Sequence, residues 1–255
     1  MREAVLRWQG VLLSVVVLAA TAWLAATGQL SLYIHPRYVM FTVIMTAVAA
    51  VFVIGAVTVA AMKRDEPDDH DHDHDDPVPV RSRVACLATG ASVLVIATAL
   101  VALIVVPPAT LTSGTAAARE MNVGAAIADD DFVSIGGDYL NFSVKDWSSL
   151  LTQVSAASFY EGKTADVTGF VSADAADPEN VYFVSRFIVT CCAVDAQPVG
   201  VPVYQPGWAD ELKADEWVRV TGPFVANASG SQDLPVVVDP ASVEPVDRPA
   251  DPYVY

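Results

Sequence analysis

The pattern of hydrophobic and polar positions divides the chain into two regimes. In the first, three long runs carry no charged side chain: Trp8–Thr27, Tyr38–Met62 and Val84–Val106. Each has about 20 residues or more, the length needed to cross a hydrocarbon core of about 30 Å. They predict three transmembrane helices, at about 8–27, 38–62 and 84–106, within a membrane region covering residues 1–106. A cleaved signal peptide is the competing reading of the first run. Its apolar stretch exceeds the usual ~7–15 residues and a second run follows after a short loop, so a retained helix is expected.

The second regime is short and alternating. Residues 107–131, rich in Ala, Thr and Gly, read as a linker, and folding resumes near Phe132. Ser143 and Asp146 form the pattern of a capping box opening a helix to about Val154, with Trp147, Leu150, Leu151 and Val154 on one stripe. Beyond it, Ala165, Val167 and Val171 recur at period two around Gly169. Val218, Val220 and Phe224 do the same around Gly222. Alternation marks half-buried strands, and a Gly inside one marks a bend or a close backbone approach. The two segments share a V-T-G-(P)-F-V pattern, which reads either as a short internal echo or as similar strand chemistry. Val181–Thr190, Val199–Tyr204 and Leu234–Asp239 supply three further strands. The expected fold class is thus a membrane α-helical N-terminal region followed, over 132–255, by an all-β, OB-like small barrel domain. A β-sandwich is the alternative.

Composition agrees with the division. The chain is 53% hydrophobic, too apolar for an ordinary soluble domain. Its net charge of −16 is concentrated in the second half, where residues 107–255 hold 21 acidic and 7 basic side chains. An acidic domain repels phosphate backbones, so nucleic acid is not an expected partner. Basic residues also orient the membrane region. Arg2 and Arg7 precede the first run, and Lys63, Arg64, Arg81 and Arg83 flank the 63–83 loop. Arg37 alone lies in the loop between the first two runs. The N-terminus and the 63–83 loop are therefore expected in the cytoplasm, and the barrel on the far side of the cell membrane.

That placement bears on Cys191 and Cys192, which are adjacent in RFIVTCCAVDAQPVG. Outside the cytoplasm disulfides persist. Successive Cα atoms lie about 3.8 Å apart, whereas a disulfide needs roughly 4.4–6.8 Å, so a bond between neighbours would be strained. On a straight strand the two sulfurs would point to opposite faces. Joint chemistry requires a bend after Thr190, which Asp195, Pro198 and Gly200 permit. Three readings stay open: core thiols or a fixed bond, a redox switch, and a soft-ligand site. For the last, Cys191, Cys192 and Asp195 offer ligands to zinc or copper(I), but no histidine of the barrel region could complete it, because all four precede residue 75. Cys86, in the third run, reads as a small apolar residue.

The 63–83 loop, KRDEPDDHDHDHDDPVPVRSR, places His70, His72 and His74 between aspartates. Their imidazoles make a flexible, fast-exchanging set of donors for a divalent cation such as zinc. The competing reading is a solvated acidic loop. His35, in YIHPRY, reads as a residue capping the next helix before Pro36, with a substrate path as the alternative.

The combination of GQLSLYIHPR, GKTADVTGFV, SRFIVTCCAVDAQPVG, DEWVRVTG and the closing PYVY resembles the YcgQ-type family of bacterial membrane proteins, described as permease subunits. The resemblance implies a small multi-span protein working beside a larger permease, of a kind associated with export of metals or metalloid compounds. It assigns no catalytic residue. Cys191, Cys192 and Asp195 fall in its motif, and its members are drawn with two N-terminal spans rather than three. Helices almost without ionisable groups cannot line a polar path, so an accessory subunit of a transport complex is the expected function. The alternative is a stand-alone membrane protein that binds metal or exchanges thiols through Cys191 and Cys192. No Ser-His-Asp order, phosphate loop or C-x-x-C pair stands out, so an enzyme is not expected. A divalent or soft metal ion such as zinc is the one cofactor indicated.

Overall fold

A computed structural model describes residues 2–62, 98, 110–123, 139–229 and 234–255. The chain forms two compact units. Residues 1–31 and 36–108 make the first, and residues 32–35 join residues 109–255 in the second.

In the first unit, α1 (Arg2–Ala26) and α2 (Pro36–Met62) pack against each other. Pro36 starts α2 at the position where its missing N–H costs nothing. Of α2, Pro36–Val59 is long and apolar enough to cross a membrane, and none of it is buried within the protein. Its 24 residues extend about 36 Å at about 1.5 Å each. Phe41, Val51, Phe52 and Ile54 stand exposed along it, a surface suited to lipid rather than water. The first expected span is also helical, and among the described residues Gly10–Ala26 form its apolar stretch, about 26 Å by the same rise. Thr27 falls beyond the helix end. Among the described residues, then, one helix meets the length of a full crossing. The third expected span, 84–106, and the 63–83 loop lie outside the described residues.

The second unit is built on a ring of strands. These are β1 (Thr164–Ala173), β2 (Val181–Ile188), β3 (Gln197–Tyr204), β4 (Trp217–Ala226) and β5 (Val236–Val238). The order β1-β2-β3-β5-β4 closes because β4 also pairs with β1, giving a barrel-like sheet with one parallel junction, β3 to β5. Two short strands lie off the ring. β6 (Ser242–Pro245) pairs with β4, and β7 (Tyr253–Val254) with β2.

Closure depends on strands that change partner partway. β1 pairs with β4 from Thr164 to Phe170 and with β2 from Phe170 to Ala173. β4 pairs with β1 up to Pro223 and with β5 from Phe224. Each handover follows a glycine. A Cβ on Gly169 would strike the Ser185 backbone, and one on Gly222 would strike the Asp239 carbonyl. The repeated V-T-G-(P)-F-V pattern is therefore one structural device used twice: a strand bent where a neighbouring backbone passes too close for a side chain.

One end of the barrel is filled by α3 (Val144–Gln153). Its capping box forms as expected, with Ser143 accepting from the Asp146 N–H and Asp146 accepting from the Ser143 N–H. Trp147 and Leu150 are fully buried among Val167, Tyr182, Val201, Val220 and Phe224. The Tyr160 hydroxyl, 2.9 Å from the Leu150 carbonyl and 2.8 Å from that of Val154, ties off the helix end. Burial pushes its phenol pKa well up, so it stays a donor. Tyr160→Phe is expected to cost about 1–3 kcal/mol, because buried carbonyls lose their donor. Thermal unfolding followed by tryptophan fluorescence would register this as a lowered midpoint, and an unchanged midpoint would refute it.

A second apolar cluster lies at the β1–β2 edge. Phe170 and Phe187 stack with ring centroids 5.4 Å apart, beside Val189, Ala196 and Tyr253. Leu32, from the loop between α1 and α2, is buried in this cluster, as is Ala116 of the short helix Ser113–Ala117. Asn122 also belongs to the barrel, since its side chain bonds both the N–H and the carbonyl of Gly200. Part of the segment that reads as a linker is thus packed on the barrel unit.

Candidate functional site

The site stands on the loop joining β2 to β3. β2 ends at Ile188, opposite Gln197, and the chain turns back through Val189–Ala196. The Asp195 N–H bonds the Cys192 carbonyl at 3.0 Å, closing a turn. The Asp195 carboxylate then folds over the start of the loop. It accepts the N–H of Cys191 at 2.7 Å, and those of Thr190 and Cys192 at 3.3 and 3.4 Å. This brace supplies the bend that joint chemistry of the two cysteines demands.

Two other segments hold the loop from outside. The loop between the first two helices lies antiparallel to it, with Ile34 bridged to Cys192. The His35 N–H bonds the Cys191 carbonyl at 2.9 Å, and the Ala193 N–H bonds the Tyr33 carbonyl at 2.8 Å. Arg119 donates to the Val194 carbonyl at 3.1 Å. Arg186, in the same sequence motif, does not face the site. Its guanidinium bonds the Thr168 carbonyl and lies over Trp217, and burial lowers its pKa.

The result is an exposed pair of thiols. Cys191 is exposed and Cys192 half-buried. Ligand atoms of Cys191, Cys192 and Asp195 all lie within 4.8 Å of one another. In a tetrahedral zinc site with bonds of about 2.3 Å, ligand atoms sit about 3.8 Å apart. Contracting the cluster therefore takes a shift of about 1 Å, within reach of a rotamer change on an exposed turn. Asp195 has the least to give. Three N–H groups already use three of its roughly four lone-pair positions, leaving one for a metal.

The structure thus brings Cys191, Cys192 and Asp195 together, while His70, His72 and His74 lie outside the described residues. It also adds a residue that sequence reasoning set apart. His35 lies against the cysteine loop, with its ring 4.7 Å from that of Tyr255 in an edge-on contact. Its one signal in the sequence was the Pro that follows, which favours an extended backbone. No spacing rule links it to Cys191.

An apolar helix pair leading into a barrel-like unit that displays a braced thiol turn defines a two-domain class of protein. The chain belongs to the DUF1980 family: residues 10–122 match the DUF1980 N-terminal domain and residues 129–255 the DUF1980 C-terminal domain. No curated protein and no solved structure matches it.

Proposed function

We propose that the protein is a membrane-anchored subunit that binds a soft or borderline metal ion, such as zinc, at Cys191 and Cys192. It passes that ion to or from a transport protein in the same membrane. The observation that carries the reading is the convergence of two thiols and a carboxylate on an exposed turn. Thiolates favour such metals, and a ligand set on an accessible turn suits transfer better than permanent storage. The barrel, read as OB type, is a scaffold that hosts many functions and argues for none by itself.

The same loop supports an orientation. Leu32–His35 belong to the barrel's compact unit, which supports placing the loop between α1 and α2 on the barrel's side of the membrane. On this reading the uncharged run Val84–Val106, which has the length for it, makes a further crossing. With basic residues marking the cytoplasmic ends, the loop and barrel face outward.

In intact, reduced cells a membrane-impermeant maleimide is expected to label Cys191 and Cys192, and added Zn²⁺ to suppress that labelling. Labelling only after lysis would invert the topology. Labelling indifferent to Zn²⁺ would remove the metal from the reading.

A further inference from the structure

We infer that His35 is a ligand of the same site, so that the metal is held between the cysteine loop and the loop joining α1 to α2. The inference rests on the metal-binding reading and names the group that completes it. Two thiolates and one carboxylate oxygen fill three positions of a tetrahedron, and the fourth calls for a nitrogen or oxygen donor. His35 is the single histidine among the described residues.

The register brings it to the site. With Ile34 bridged to Cys192, His35 is the cross-strand neighbour of Cys191. The hydrogen bonds His35 N–H to Cys191 carbonyl and Ala193 N–H to Tyr33 carbonyl fix that register on both sides. The His35 and Cys191 backbones thus touch, and the imidazole and the thiol start from adjoining positions. His35 is not part of the three-residue cluster whose ligand atoms lie within 4.8 Å. Its ring contacts Tyr255 instead. Rotation about its side-chain bonds, away from that ring, is the movement that would bring a nitrogen to the metal.

Both loops lie in one compact unit, so the site needs no rearrangement between units. Leu32 is buried three residues before His35, which anchors the histidine's backbone. Neutral imidazole binds the same ions as thiolate, and a mixed sulfur and nitrogen set suits zinc best.

The test uses the full chain in detergent, reduced, with His70, His72 and His74 replaced by Ala, and Co²⁺ as the probe. With His35 intact, Co²⁺ should give the intense visible bands of a four-coordinate site and a near-ultraviolet thiolate charge-transfer band. His35→Phe keeps a ring against Tyr255 but has no nitrogen to offer. It should weaken Co²⁺ binding at least as much as loss of an outer-shell partner does, about 10- to 100-fold. The visible bands should change while the charge-transfer band persists. A second measurement leaves His35 in place: Zn²⁺ should protect it from diethyl pyrocarbonate, read by peptide mass mapping, and Cys191→Ser with Cys192→Ser should cancel the protection. Unchanged Co²⁺ affinity and spectrum in His35→Phe, or equal modification with and without Zn²⁺, would overturn the inference while leaving the cysteine site standing. If the chain with all of these residues intact binds no Co²⁺, the metal-binding reading falls and this one with it.

Discussion

Replacing both Cys191 and Cys192 by Ser is expected to abolish metal binding by the barrel and to leave its fold intact. The separation of the two effects follows from where each bond lies. The turn is held by backbone groups and Asp195: three N–H groups on the carboxylate, and the His35 and Ala193 N–H groups on facing carbonyls. Neither sulfur belongs to the buried core. Serine preserves size and hydrogen bonding but removes the thiolate, the strongest zinc or copper(I) ligand present. Each single replacement leaves one thiol and should retain weak binding. Because the ligands must shed protons to bind, affinity should also decline as pH falls. Isothermal titration with Zn²⁺ of the full chain with His70, His72 and His74 replaced by Ala, paired with thermal unfolding, reads both effects. Retained stoichiometric binding by the double variant would place the metal elsewhere.

Gly222→Ala is expected to destabilise the barrel strongly. A methyl there would collide with the Asp239 carbonyl and press on Val238 at 3.0 Å. The first obstacle is backbone, which cannot swing aside as a side chain tip can. The position also lies where β4 passes from β1 to β5. Relief by displacement would open the ring. Overpacking of this kind costs about 1–3 kcal/mol or more, here at the upper end, against a total stability of about 5–15 kcal/mol for a typical domain. Gly114→Ala is the control, because its methyl would meet only Thr112 Oγ1 at an ordinary 3.6 Å. A sharply lowered unfolding midpoint in Gly222→Ala but not in Gly114→Ala is the expected outcome. Equal stability of the two would mean the strands can close without the bend.

The elements legible in the sequence were those with a periodic signature. Val167 and Val171, and Val218 and Val220, alternate because one face of β1 and β4 fills the core. Ser143 and Asp146 announced α3 because a capping box is local chemistry. The glycines of β1 and β4 marked bends for the reason found: a neighbouring backbone. β6 and β7 left no such trace. Ser242–Pro245 is mostly exposed, so no buried face imposes alternation, and Tyr253–Val254 is too short to show a period. The first apolar run was legible as a helix, α1, which ends one residue before the expected Thr27. At the site, Cys191, Cys192 and Asp195 were visible together because they are neighbours in the chain. His35 was not, because its contact with Cys191 depends on how a distant loop pairs with the β2–β3 connection.

The most direct measurement is X-ray absorption at the zinc edge on the full, reduced chain loaded with one Zn²⁺, with His70, His72 and His74 replaced by Ala. Two sulfurs at about 2.3 Å, the length of a zinc–thiolate bond, are the expected first shell, with lighter nitrogen or oxygen atoms completing it. A shell of nitrogen and oxygen alone would contradict the proposal that Cys191 and Cys192 together hold the metal.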